Sequence, residues 1–151
     1  MNQNLVKLFL RLALSCGFLS AVADRFGLYP AEISVWGTWQ NFVDYTGLIN
    51  PWLPVFLISP AAVAATAAEL VFGIALMIGF KTALFAKLSG ILLLAFAFAM
   101  AFSLSAKAPF DYSVYAAAAA AFALATMSNE YLELDSGLGE PKPRQTSEVQ
   151  T

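Results

Sequence analysis

The sequence predicts an all-helical, polytopic membrane protein built as a four-helix bundle, and three observations predict it. The 151 residues are 60% hydrophobic and 12% charged, with a mean hydropathy of +0.70, whereas soluble domains are nearer a quarter charged. Four apolar stretches approach the roughly 20 residues that a helix needs to cross the hydrocarbon of a bilayer. The charges that interrupt those stretches are few, and intramembrane charges persist where a bundle interior offers them a partner.

The first span is expected over 5–23 and contains Lys7 and Arg11. It ends in Ala21-Val22-Ala23, which has the small-residue form of a signal-peptidase site. Two readings are therefore open, a retained crossing or a cleaved leader that leaves three crossings. The residues before Cys16 make a poor lipobox.

A 36-residue connection, Asp24 to Ser59, follows and carries Trp36, Trp39, Phe42, Tyr45 and Trp52. Such an aromatic concentration marks a membrane interface. Thr38 with Trp39, Phe42, Val43 and Thr46 predicts one short amphipathic helix, which either anchors at the outer interface or lids the bundle. Gly47 is placed to end that helix in a left-handed cap. Pro51, Pro54 and Pro60 then break the chain before it re-enters the membrane.

The second span is expected over 60–80. Ala62, Ala65, Thr66, Glu69, Phe72 and Gly73 share one face of it at helical spacing, and small residues mark faces that pack in lipid. The third span, 83–106, is rich in Leu and Phe and reads as the most lipid-exposed. The fourth, 112–128, carries six consecutive alanines, Ala116 to Ala121, and Asp111 is placed to cap its start. On the first span, Gly17 and Ala21 supply a small-residue step. The polar remainder, 129–151, reads as a disordered cytoplasmic tail.

Of the eight Lys and Arg residues, Lys7, Arg11, Lys81, Lys87, Lys142 and Arg144 fall on one side of this topology, and only Arg25 and Lys107 on the other. The positive-inside rule then sets both termini in the cytoplasm, with the short helix in the outer loop. The membrane is expected to be the bacterial cytoplasmic (inner) membrane.

Composition also excludes. A net charge of −2 offers no footprint for nucleic acid. A single cysteine and no histidine remove the usual ligands of haem, copper, zinc and iron–sulfur clusters. No intrinsic cofactor is expected, and redox work would need a diffusible quinone or a partner protein.

Glu69, in an otherwise apolar span, is the candidate proton or ion-pair site. Either Arg11 is its counter-charge, directly or through water, or Arg11 snorkels inward and Glu69 is protonated. At about 1.5 Å per residue, Glu69 lies roughly 18 Å and Arg11 roughly 9 Å above the inner ends of their helices, within the reach of two long side chains. A second polar cluster, Asp24, Arg25, Lys107, Asp111 and Tyr112, is expected at the outer helix ends. It reads either as an interfacial ion-pair network or as a polar mouth above Glu69.

Arg11-Leu12-Ala13-Leu14 leading to Gly17-Phe18-Leu19-Ser20-Ala21-Val22-Ala23-Asp24-Arg25-Phe26-Gly27 resembles the opening of DoxX-family membrane proteins. The same is true of Tyr45-Thr46-Gly47 with Asn50-Pro51-Trp52-Leu53-Pro54, of Glu69-Leu70-Val71-Phe72-Gly73, and of Lys107-Ala108-Pro109-Phe110-Asp111-Tyr112-Ser113. The resemblance spans residues 5 to 125 and implies a four-helix membrane bundle. It implies an accessory or quinone-associated subunit of a membrane redox complex, with membrane or peripheral redox proteins, or further copies of itself, as partners. The alternatives are a non-catalytic scaffold or assembly factor and a small proton-coupled permease. Whether the chain is an enzyme on its own stays open.

Overall fold

The computed structural model describes residues 2–128 and 131–134, whose regular secondary structure is all helix with no strand among them. Six helices follow in order: α1 Gln3–Arg25, α2 Trp39–Ile49, α3 Val55–Ile78, α4 Thr82–Ser103, α5 Ala108–Asp111 and α6 Val114–Ala125. Three of them, α1, α3 and α4, are long and apolar enough to cross a membrane. Their outward faces carry Phe9, Val63, Val71, Ile91 and Phe102, each more than half exposed. An apolar surface of that extent suits lipid rather than water. This is a membrane protein by the chemistry of its surface.

Two helix pairs make the frame. α1 packs antiparallel on α3, and α4 packs on α6. Backbones approach where side chains are small. A Cβ on Gly73 of α3 would meet Leu19 at 3.0 Å, and one on Gly90 of α4 would meet Phe122 at 2.7 Å. Leu14, Leu76, Ala86, Ala121 and Leu124 join the pairs in one apolar core. The third span is no more exposed than the others, since the windows of α1, α3 and α4 each bury 33% of their residues. Leu84, Phe98 and Phe102 face outward, Phe85 and Leu93 pack on the core, and Ala86, Ser89, Gly90 and Ala97 are buried.

Several boundaries differ from expectation, each for a local reason. Gly47 does not end α2, which runs on to Ile49 and closes at Asn50. A Cβ at Gly47 would lie 3.1 Å from Ile58, so this glycine permits close packing of α2 on α3. The left-handed caps fall instead on Gly27 (φ 70°) and Gly79 (φ 72°). After α1, the Leu28 N–H donates to Ala23 O at 3.1 Å and the Gly27 N–H to Asp24 O at 3.0 Å, the paired bonds of a Schellman turn. Pro60 lies inside α3, which begins five residues earlier with Pro54 at its cap. Only one backbone donor is lost there, near the start of a 24-residue helix that packing holds in place.

A Cβ added at Gly17 would meet nothing within 4 Å. The contact face of α1 is instead Leu14, Ser15, Phe18 and Val22. Asp111 does not cap the last helix. It ends the short helix α5, and Ser113 (φ 55°) stands before α6 with no side-chain cap bond. The expected fourth span therefore begins later, and α6 has 12 residues. Of the expected tail, residues 131–134 fold back onto the bundle and bury Glu133 (7% exposed). Residues 129, 130 and 135–151 lie outside the described residues.

Candidate functional site

Antiparallel register decides which cation meets Glu69. The Ser15 hydroxyl donates to Gly73 O at 2.6 Å, and Arg11 Nη2 reaches Met77 O at 3.4 Å, so these residues are level across the α1–α3 contact. Relative to that rung, Glu69 stands about 6 Å along the axis, Arg25 about 15 Å in the same direction, and Arg11 about 6 Å in the opposite one. Side chains on a helix lean toward its N-terminus. Because the helices are antiparallel, Arg25 and Glu69 lean toward each other, whereas Arg11 leans away.

The ion pair is accordingly Arg25–Glu69, not Arg11–Glu69. Arg25 Nη1 contacts Glu69 Oε2, and both side chains are nearly inaccessible. The same Nη1 donates to the Thr66 hydroxyl at 2.8 Å, and the guanidinium carbon lies 3.6 Å from the centre of the Phe42 ring. Among the described residues, Arg25 Nε has no hydrogen-bond partner. Charge, hydroxyl and aromatic face together replace the water that a buried guanidinium loses.

This pair forms part of the wall of a chamber of about 890 Å³. The chamber lies where the C-terminal end of α1 meets α2, α3, α4 and the start of α6. Gly17 and Ala21 widen it on the α1 side, and Ala61 and Ala65 on the α3 side. Trp36, Phe42, Tyr45, Phe96, Met100 and Tyr112 line it as well, so its surface is largely apolar and aromatic. The loop aromatics form a connected cluster. Trp36 lies 4.7 Å from Tyr45 and 5.4 Å from Phe42 between ring centres, while Trp39 stacks on Phe26 at 5.9 Å. Burial, and then the neighbouring Tyr112, raise the Tyr45 phenol above its ordinary pKa. It stays a hydroxyl donor at neutral pH.

The expected outer cluster is divided. Asp24 accepts the backbone N–H groups of Val35 and Trp36, both at 2.9 Å, and the Ser34 hydroxyl, so it fastens the aromatic loop over the chamber. Arg25 turns inward to Glu69. Lys107 and Asp111 pair with each other on the surface, and neither lines the chamber; Tyr112 does.

Arg11 belongs to a different site, at the opposite end of α1. It donates to Leu132 O at 2.7 Å and Tyr131 O at 3.2 Å, and its Nη1 lies 3.5 Å from Glu133. Lys7 meets the same carboxylate at 2.7 Å. Sequence reasoning missed Glu133 because it sits in a polar stretch without periodicity. A usable signal lay in α1 itself. Lys7, Arg11, Leu14, Phe18, Val22 and Arg25 recur at steps of three and four, so all three cations share the buried face.

No family model, curated protein or solved structure matches the chain.

Proposed function

We propose that the chamber is a quinone-class binding site and that the protein is an accessory subunit of a membrane redox system. The observation that carries this reading is a largely apolar, aromatic-lined space of about 890 Å³ with a buried Arg25–Glu69 pair in its wall. Ligand sites of this kind are mostly apolar, run to some 300–1,000 Å³, and hold few polar groups to orient the ligand. A quinone ring suits the aromatic faces. Its carbonyl oxygens suit the unfilled Nε donor of Arg25 and the Tyr45 hydroxyl, and its isoprenoid tail suits the apolar remainder.

Reduction of a quinone to a quinol takes two electrons and two protons. A separate redox protein would supply the electrons, and Glu69 would relay a proton. The DoxX-like motifs support the same assignment, with quinone as a diffusible ligand. In this reading α6 is the fourth crossing of the bundle. Both termini face the cytoplasm of a bacterium, the aromatic loop lies at the outer face of the inner membrane, and six of the eight basic residues fall on the cytoplasmic side.

The test is extraction of the purified protein for bound isoprenoid quinone, with titration of a short-tailed benzoquinone read by quenching of tryptophan fluorescence. Saturable quenching that is lost on filling the chamber with Ala65→Leu supports the site. No extracted quinone, together with quenching indifferent to Ala65→Leu, overturns it. A scaffold is the second reading, favoured by the way Arg25 and Glu69 lock α1 to α3. There Glu69→Gln lowers stability and leaves quinone titration unchanged.

A further inference from the structure

A second pocket, about 340 Å³, lies at the other end of the bundle, where α4 begins. Its walls include Thr82, Ala83 and Leu84, the first three residues of that 22-residue helix, together with Lys7, Lys81, Met127, Ser128 and Glu133. Lys81, the residue before α4, makes no side-chain cap bond among the described residues. The leading backbone N–H groups of the helix and the positive end of its dipole therefore face the pocket, an arrangement that favours an anion. A separate observation points the same way. Thr82 is only 2% exposed, lines the pocket, and its hydroxyl has no hydrogen-bond partner among the described residues. A buried hydroxyl is normally satisfied.

Among the described residues, cations gather around the pocket. Lys7 and Lys81 line it, and Arg11 lies alongside through its contact with Glu133. Among the described residues, the Glu133 carboxylate also lines the pocket and engages Lys7 and Arg11. One anion is thus already drawn to this end, and Lys81, the Thr82 hydroxyl and the α4 N-terminus remain for another.

We propose that the pocket at the start of α4, bounded by Lys7, Lys81, Thr82 and Ser128, binds a phosphate group. A phosphate offers several acceptor oxygens to backbone N–H, hydroxyl and ammonium donors at once. The group belongs either to an anionic phospholipid headgroup or to a soluble phosphate. This inference is independent of the quinone chamber.

The full chain, delipidated in non-ionic detergent, is titrated with inorganic phosphate by calorimetry and with phosphatidylglycerol by native mass spectrometry. Lys81→Gln removes an exposed charge. Thr82→Val removes a hydroxyl with no hydrogen-bond partner among the described residues. Each is expected to weaken binding roughly three- to tenfold, the worth of one hydrogen bond to a charged group. Lys87→Gln, an exposed cation deeper on the same helix, is the control and leaves binding unchanged. Saturation by phosphatidylglycerol alone supports a lipid site, and saturation by inorganic phosphate supports a soluble one. The proposal is overturned if neither probe saturates, if Lys81→Gln and Thr82→Val bind like the parent, or if Lys87→Gln weakens binding as much as Lys81→Gln.

Discussion

The two ends of α1 solve one problem in different ways. At its C-terminal end, Arg25 is neutralised by Glu69 on the antiparallel neighbour α3, inside the helical frame and against a large chamber. At its N-terminal end, Lys7 and Arg11 are neutralised by Glu133, on a segment that follows α6. The first arrangement depends on register between two packed helices and so is as rigid as their contact. The second depends on a short stretch of chain held by one carboxylate and by the Tyr131 and Leu132 carbonyls. A buried charge therefore reports different things at the two ends: a fixed wall at one, a docked strap at the other.

That contrast is broken most directly at Glu69. Glu69→Gln leaves Arg25 buried without its counter-charge and should cost about 3–5 kcal/mol, read by thermal or denaturant unfolding in detergent. Replacing both members by methionine should recover most of the loss, because a well-packed apolar pair avoids desolvation. If Glu69→Gln unfolds like the parent, the wall is not held by charge.

Gly79 sharpens the other end. Its φ of 72° disfavours any Cβ, and that Cβ would stand 2.7 Å from Glu133 Cα and 2.9 Å from Arg11 Nη1. Gly79→Ala should cost about 2 kcal/mol through strain at that left-handed position. It should also expose residues near 131–134 to proteolysis, which limited digestion detects. Glu133→Gln should cost less, about 1–2 kcal/mol, since Arg11 keeps its carbonyl partners. A Glu133→Gln loss as large as that of Glu69→Gln would erase the distinction between wall and strap. The smallest effect belongs to the Lys107–Asp111 pair, whose side chains are 77% and 52% exposed. Lys107→Ala should change stability by under about 0.5 kcal/mol by the same unfolding measurement.

Much of the fold was legible because lipid imposes simple rules. Runs of apolar residues announced α1, α3 and α4, and Thr38 with the spacing of Trp39, Phe42 and Thr46 announced α2. Helical periodicity alone put Ala62, Thr66, Glu69 and Gly73 on one face, and all four are buried. What resisted reading was relational. The partner of Glu69 depends on the lean of side chains in antiparallel helices, a term that depth estimates from helix ends omit. Gly47 looked like a stop because a glycine that ends a helix and one that admits a neighbour are identical in sequence; only Ile58 distinguishes them. Pro60 looked like a break because tertiary packing of α3 is invisible to local propensity. Asp111 has the form of a cap in sequence, yet the chain makes the extra turn of α5 before α6 begins, and Asp111 pairs with Lys107 four residues earlier.

The bond from Arg11 to the Tyr131 carbonyl bridges 120 residues of sequence. During synthesis the first helix therefore emerges long before the group that answers its cation. Through most of translation Arg11 must rest on water, lipid headgroups or the insertion machinery, and its final seating follows the completion of every other helix. A ribosome stalled short of codon 131 would hold a nascent chain in which Lys7 and Arg11 of the first helix still await the segment that receives them.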